Sequence, residues 1–167
     1  MEKDYIVYVE NEIETKKVAK ELLNKIGGID TKSTIILTGD LGTGKTKFTE
    51  GILEEYGYEE QISSPTFTII NIYEDYSDDT KPKVCHFDVY RLKNSEELLD
   101  IGGEETIGTC LNIIEWGEIV SDIFDEYIHV IIEKPIAMSI QGAQKLVEKA
   151  KEKGVKLATC HQNRFNH

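Results

Sequence analysis

Hydrophobic and polar positions alternate in short blocks along this chain. Tyr5 to Val9 alternates with a period of two and predicts a strand. Asn11-Glu12-Ile13-Glu14 then reads as an N-cap with a carboxylate three residues on, opening a helix that runs to about Lys25 and stops at Gly27-Gly28. Thr34 to Thr38 is a short apolar, β-rich run, Gly39 to Lys45 a glycine loop, and Thr46 to Tyr56 a helical stretch. Thr66 to Tyr73 and Val84 to Tyr90 predict two strands of a hairpin joined by an acidic turn from Glu74 to Lys81. Ser95 to Leu99 opens a short helix with its own capping pattern, and Leu111 to Ile114 is another apolar strand ending at Glu115. Tyr127 to Ile132 reads as a further strand. The alternation predicts an α/β fold, a mostly parallel sheet flanked by helices.

The last segment changes character. Through Ile132 the chain carries 12 basic and 28 acidic residues, whereas Glu133 to His167 carries 7 basic and 3 acidic. Pro135 and Ser139 precede a predicted helix, Ile140 to Lys153, and Val155 to Ala158 reads as a strand. The expected organisation is one domain over residues 1–132 with an αβ appendage over 133–167.

A length of 167 residues suits one compact domain. No apolar run approaches the roughly 20 residues needed to cross a bilayer, and the charged start Met1-Glu2-Lys3-Asp4 does not resemble a secretory signal. The net charge of −12 argues against a broad phosphate-gripping face, so any RNA connection is expected to be indirect. Cys85, Cys110 and Cys160 are widely spaced and lack a Cys-x-x-Cys pair, which predicts buried apolar thiols in a reducing cytoplasm.

The chemistry concentrates at Gly39-Asp40-Leu41-Gly42-Thr43-Gly44-Lys45-Thr46, which satisfies G-x-x-x-x-G-K-[ST] between an apolar strand and a helix. Glycines let the backbone amides of Asp40 to Thr46 approach phosphate oxygens at the positive end of the following helix. Lys45 would neutralise the β- and γ-phosphates, and the Thr46 hydroxyl would hold magnesium. Such a loop needs carboxylates from nearby strand ends, and Asp88 and Glu115 each close an apolar run. His86, Asp88 and Tyr90 alternate on one face of their strand, with Phe87 and Val89 on the other. A polar face there predicts a site lining, with a structural histidine as the plainer reading of His86. Trp116, the single tryptophan, divides between core packing and nucleotide contact.

Four blocks, Gly39 to Thr46, Ser64-Pro65-Thr66-Phe67, His86-Phe87-Asp88-Val89-Tyr90-Arg91-Leu92 and Ile114-Glu115-Trp116, resemble the TsaE (YjeE) family in order and spacing, over roughly residues 5–130. The resemblance implies the ATPase component of tRNA N6-threonylcarbamoyladenosine biosynthesis, acting with TsaB and TsaD, with ATP and Mg2+ as cofactors and tRNA met only through the complex. It implies that Thr46 and Glu115 handle magnesium and that Asp88 is needed for hydrolysis. Ser64 to Phe67 would form a switch-like loop beside the γ-phosphate, and Trp116 would lie near the site. Lys45, Asp88 and Glu115 are thus the expected catalytic residues, and Asp40, Leu41, Gly42, Thr43, Gly44, Lys45, Thr46 and Trp116 the nucleotide-binding set.

Residues about 129–167, with Glu133-Lys134-Pro135, resemble instead an internal piece of the Gfo/Idh/MocA oxidoreductase family, whose motif lysine Lys134 matches. No G-x-G-x-x-G with a downstream acidic residue occurs, so no NAD(P) and no catalytic role for Lys134 are expected. A small-metabolite kinase would need several arginines around two phosphoryl groups, and this chain has only Arg91 and Arg164. A regulatory subunit in which nucleotide controls docking, and a chimera disabled by its altered C-terminus, remain as alternatives.

Overall fold

The structure is a computed structural model that describes residues 6–28, 32–58, 62–78, 81–133, 145, 148 and 149. Helix α1 (Glu12–Lys25) starts where the Asn11 side chain accepts from the Glu14 backbone N–H, while Glu14 reaches back to the Glu10 amide. It is followed by strand β1 (Thr34–Thr38), helix α2 (Lys45–Glu55) and the strands β2 (Ile70–Tyr73) and β3 (Val84–Asp88). A short helix α3 (Ser95–Asp100), a 3₁₀ turn (Gly103–Thr106) and strand β4 (Leu111–Glu115) come next. Two further 3₁₀ turns (Gly117–Ile119 and Ser121–Ile123) lead into β5 (Ile128–Ile131).

The strands form one sheet in the order β2-β3-β4-β1-β5. All pairings are parallel except β2 with β3, which is the antiparallel hairpin expected from the sequence. Because β4 is inserted between β1 and β3, the carboxyl ends of three parallel strands lie side by side. Crevices for ligands form at such ends in open α/β sheets.

Two cores flank the sheet, as a mostly parallel sheet requires. Ile35, Leu37, Leu111 and Ile113 pack with Ala19, Leu23, Phe48, Ile52 and Leu53 of α1 and α2. The alternate positions Ile36 and Ile114 face the other way, with Cys85, Phe87, Val89, Leu98, Cys110, Val120 and Phe124. Cys85 and Cys110 are buried free thiols with sulfurs 3.3 Å apart, which is the apolar packing expected of them. The neighbouring Cys110 and burial push the Cys85 thiol well above its ordinary range. Cys160 lies outside the described residues.

Two expectations need correction. Ile6 to Val9 form no strand and are exposed, because a strand needs a ladder partner and no described residue pairs with them. The first half of the strand expected over Thr66 to Tyr73 is a turn, with Ile69 at φ 68° and its N–H bonded to Pro65 O. The hydroxyls of Ser64 and Thr66 explain this diversion, since both are drawn onto Asp88. Helix α3 opens at Ser95 as expected, capped by Asn94, whose side chain accepts from the Glu97 N–H, while Ser95 donates to Asp122 at 2.8 Å. The helix and strand expected after Glu133 fall outside the described residues, apart from Lys145, Glu148 and Lys149, which are helical.

Candidate functional site

The glycine loop joins β1 to α2 and has the backbone that its sequence demands. Gly39, Gly42 and Gly44 all take positive φ, at 149°, 75° and 108°. Around Gly44 there is open space where a side chain would stand, whereas a Cβ at Gly39 would run into the Ile132 carbonyl. Gly44 therefore serves backbone conformation and access, and Gly39 serves a close approach to the end of β5. Thr43 closes the turn with both its N–H and its hydroxyl on Asp40 O. Leu41 is exposed at the tip, so only its backbone is offered to a ligand.

Lys45 is 5% exposed and folds back over the loop, donating to Gly39 O at 2.6 Å and Asp40 O at 2.9 Å. Its ammonium also lies 4.0 Å from the centre of the Trp116 ring. Burial lowers the Lys45 pKa from its ordinary value, and Glu115, Glu118, Asp88 and Asp40 pull in the opposite direction. A cation held by two backbone carbonyls inside a glycine loop can exchange those partners for phosphate oxygens.

Thr46, first to follow, donates through its hydroxyl to Glu115 Oε1 at 3.0 Å. The same oxygen meets His86 Nε2 at 3.0 Å. In the β3–β4 register Asp88 stands opposite Glu115, so the two carboxylates expected at separate strand ends are neighbours. Asp88 is 4% exposed and accepts from Ser64, from Thr66 at 2.8 Å and from the Tyr90 N–H at 3.1 Å. A carboxylate held this way ties the 64–66 loop to the site floor. Phe67, the next residue, is 87% exposed.

His86 is fully buried on the same face as Val84, Asp88 and the α2 core, which separates it from Cys85 and Phe87 as the alternation predicts. Its Nδ1 is buried and has no hydrogen-bond partner among the described residues. A proton on Nδ1 would leave that N–H unsatisfied, costing about 1–3 kcal/mol, and would turn a bare Nε2 lone pair onto a carboxylate oxygen. The arrangement therefore places the proton on Nε2, donating to Glu115. Tyr90 lies past the end of the strand and is largely exposed, and its ring sits 5.0 Å from that of Trp116. The Trp116 ring packs beside the buried cluster of the second core, as the packing reading of the sequence expects, and it also caps Lys45. It holds φ 62°, a left-handed conformation unusual outside glycine and asparagine, at the point where its N–H bonds Leu37 O of β1.

Sequence reasoning missed a second polar cluster at the end of β1. The Thr38 hydroxyl donates to Glu118 Oε2 at 3.0 Å and lies 2.8 Å from His129 Nε2. Only Thr38, next to the loop, carried any sign of it. Lys134 lies outside the described residues.

The donor set fits magnesium. Thr46 and Glu115 converge as a hydroxyl and a carboxylate, both hard oxygen donors, and among the described residues no group of three His, Cys, Asp or Glu side chains could cage a metal. Magnesium in nucleotide sites takes one or two protein ligands and draws the remainder from phosphates and water.

Comparison with known proteins places the chain in a family. The family model described as Threonylcarbamoyl adenosine biosynthesis protein TsaE matches residues 9–145. The tRNA threonylcarbamoyladenosine biosynthesis protein TsaE of Rickettsia felis is 39% identical over 119 residues, covering 71% of this chain and 66% of its own length. That of Treponema pallidum is 39% identical over 100 residues, covering 59% of this chain and 70% of its own. That of Bacillus subtilis is 37% identical over 130 residues, covering 74% of each. Among solved structures, the crystal structure of Bacillus subtilis YdiB superposes with a TM-score of 0.56 at 25% identity, covering 86% of this chain and 91% of that one.

Proposed function

The chain belongs to the TsaE family of tRNA threonylcarbamoyladenosine biosynthesis proteins, and on that premise we propose that it binds ATP with magnesium and hydrolyses it to drive tRNA N6-threonylcarbamoyladenosine formation. One observation carries the reading. A glycine loop at the end of β1 presents Lys45 and Thr46 to the two carboxylates that β3 and β4 deliver in register, Asp88 and Glu115.

Each residue has a role that follows from its placement. The backbone amides from Asp40 to Thr46 receive phosphate oxygens at the amino end of α2. Lys45 leaves the carbonyls of Gly39 and Asp40 for the β- and γ-phosphates. Thr46 and Glu115 hold magnesium, which when bound neutralises charge on the phosphate oxygens. Asp88 orients the attacking water, whose oxygen bonds to the γ-phosphorus as the bond to the β-γ bridging oxygen breaks, giving ADP and phosphate. Trp116 shields the ammonium from bulk water, which strengthens its pull on phosphate. With Arg91 as the only arginine near this region of the sequence, intrinsic turnover is slow and rises when partner proteins complete the site.

The partners are TsaB and TsaD, and tRNA is met through them. A chain of net charge −12 suits docking on protein rather than gripping RNA directly. Among the described residues no helix is long and apolar enough to cross a membrane.

Magnesium-dependent ATP hydrolysis by the full chain, alone and with a TsaB–TsaD pair, tests the proposal, with Lys45→Ala as the blank. Activity that rises with the pair and disappears in the variant is expected. No hydrolysis in either setting by a folded chain overturns it.

The exposure of Phe67, on a loop anchored to Asp88, favours a second reading in which nucleotide sets the position of residues 64–67 for docking and turnover is incidental. Glu115→Ala separates the two. Loss of hydrolysis with tRNA modification intact supports docking, and joint loss supports the first reading.

A further inference from the structure

We propose that His86 is a positioning residue that fixes the Glu115 carboxylate for magnesium. The proposal rests on the nucleotide reading above and deepens it.

Glu115 Oε1 accepts from two donors, the Thr46 hydroxyl and His86 Nε2, each at 3.0 Å. Both donors therefore converge on one oxygen of the carboxylate. The hydroxyl of Thr46 comes from α2 and is itself an expected metal ligand, so its hold on Glu115 changes when a cation arrives. His86 comes from the neighbouring strand β3, is fully buried and takes no part in binding phosphate. It alone supplies a donor that stays in place through loading and turnover.

The choice of histidine supports this role. The strand around it is Val84, Cys85 and Phe87, all buried, and an apolar side chain would pack there without desolvating a polar ring. The imidazole is retained although its Nδ1 finds no partner among the described residues. A histidine kept for structural reasons would be expected to use both nitrogens. This one uses a single nitrogen, and that nitrogen serves the metal carboxylate. Hydrogen bonds that orient ligating groups are commonly worth 10–100-fold in metal affinity.

Trp116, the single tryptophan, lies against Lys45 and reports nucleotide by its fluorescence. ATP is titrated into the full chain first in a metal chelator and then at rising magnesium, for the native protein, His86→Leu and His86→Gln. The leucine keeps volume and removes the donor, while the glutamine amide can restore an N–H toward Glu115. Expected is an unchanged affinity for metal-free ATP in His86→Leu, with the magnesium half-saturation raised roughly 10–100-fold and partly recovered in His86→Gln. A native magnesium midpoint in His86→Leu, or an equal loss of metal-free ATP affinity, overturns the proposal. A native protein without any magnesium effect overturns the nucleotide–magnesium reading itself, so the two failures differ. Imidazole nitrogen NMR on the native chain needs no variant: a His86 proton on Nε2 is expected, and a proton on Nδ1 overturns the assignment.

Discussion

On the proposed function, Asp88 is the residue on which binding and hydrolysis part company. It touches neither Lys45 nor Thr46 by hydrogen bond, and instead gathers Ser64, Thr66 and the Tyr90 amide around one carboxylate. Asp88→Asn keeps an acceptor for the loop but removes the charge to which the proposal assigns the orienting of water. Its hydrolysis rate is expected to fall by at least about 100-fold, while ATP still changes Trp116 fluorescence. Lys45→Ala should lose both signals, because the ammonium is the loop's own cation. Gly39 makes a separate residue-scale prediction. A methyl group there meets the Ile132 carbonyl and must also hold φ 149°, so Gly39→Ala is expected to lose ATP-induced fluorescence and to lower the melting temperature together.

Among the elements, α1 and α2 form the contact that presents the loop. Gly51 lies so close to α1 that a Cβ would stand 2.6 Å from the Lys16 Cα and carbonyl oxygen. Backbone cannot yield as a side-chain tip can, so Gly51→Ala is expected to cost about 1–3 kcal/mol in denaturant unfolding. The same contact carries Lys16 between Glu50 and Glu54, at 2.9 and 2.7 Å, with Lys20 on Glu54 at 3.1 Å. Burial raises the Glu50 pKa but Lys16 and Lys47 outweigh it, and Lys16 with Lys20 depress Glu54, so both lie below the usual 4.5. A depressed carboxylate stabilises the fold above its unfolded pKa and loses that contribution as pH falls through its folded value. Lys16, raised above 10.5 by Glu54 and Glu50, contributes below 10.5 and loses its share as pH rises through its folded value. Stability is therefore expected to decline below about pH 4.5 and to do so less steeply in Glu54→Gln, as read from urea midpoints. At neutral pH that variant should cost no more than about 1 kcal/mol, because the pair is partly exposed.

At the scale of the whole molecule, ligand and fold are linked. If ATP with magnesium binds the folded chain and not the unfolded one, as proposed, at about 100 times Kd it should add about 2.7 kcal/mol and raise Tm by roughly 5–10 °C for a chain of this size. The shift should vanish in Lys45→Ala. An equal shift in that variant would mean that nucleotide binds elsewhere. Much of this organisation was legible beforehand. The loop from Gly39 to Thr46, the cap at Asn11, the β2–β3 hairpin and the split between His86 and Phe87 follow from local rules of spacing and conformation, which neighbours in the chain suffice to set. Local rules failed at Ile6 to Val9, where alternation met no partner strand, and at Thr66 to Ile69, where β-forming residues were taken by a distant carboxylate. By itself the sequence determined where the glycine loop lies and which of its residues take positive φ, because a loop between strand and helix is a contiguous feature. Only the tertiary structure decided that Asp88 stands beside Glu115, that His86 and Thr46 share one carboxylate oxygen and that Trp116 covers Lys45. These pairings join residues far apart in the chain, and they depend on β4 entering the sheet between β1 and β3, an order that hydrophobic periodicity does not encode.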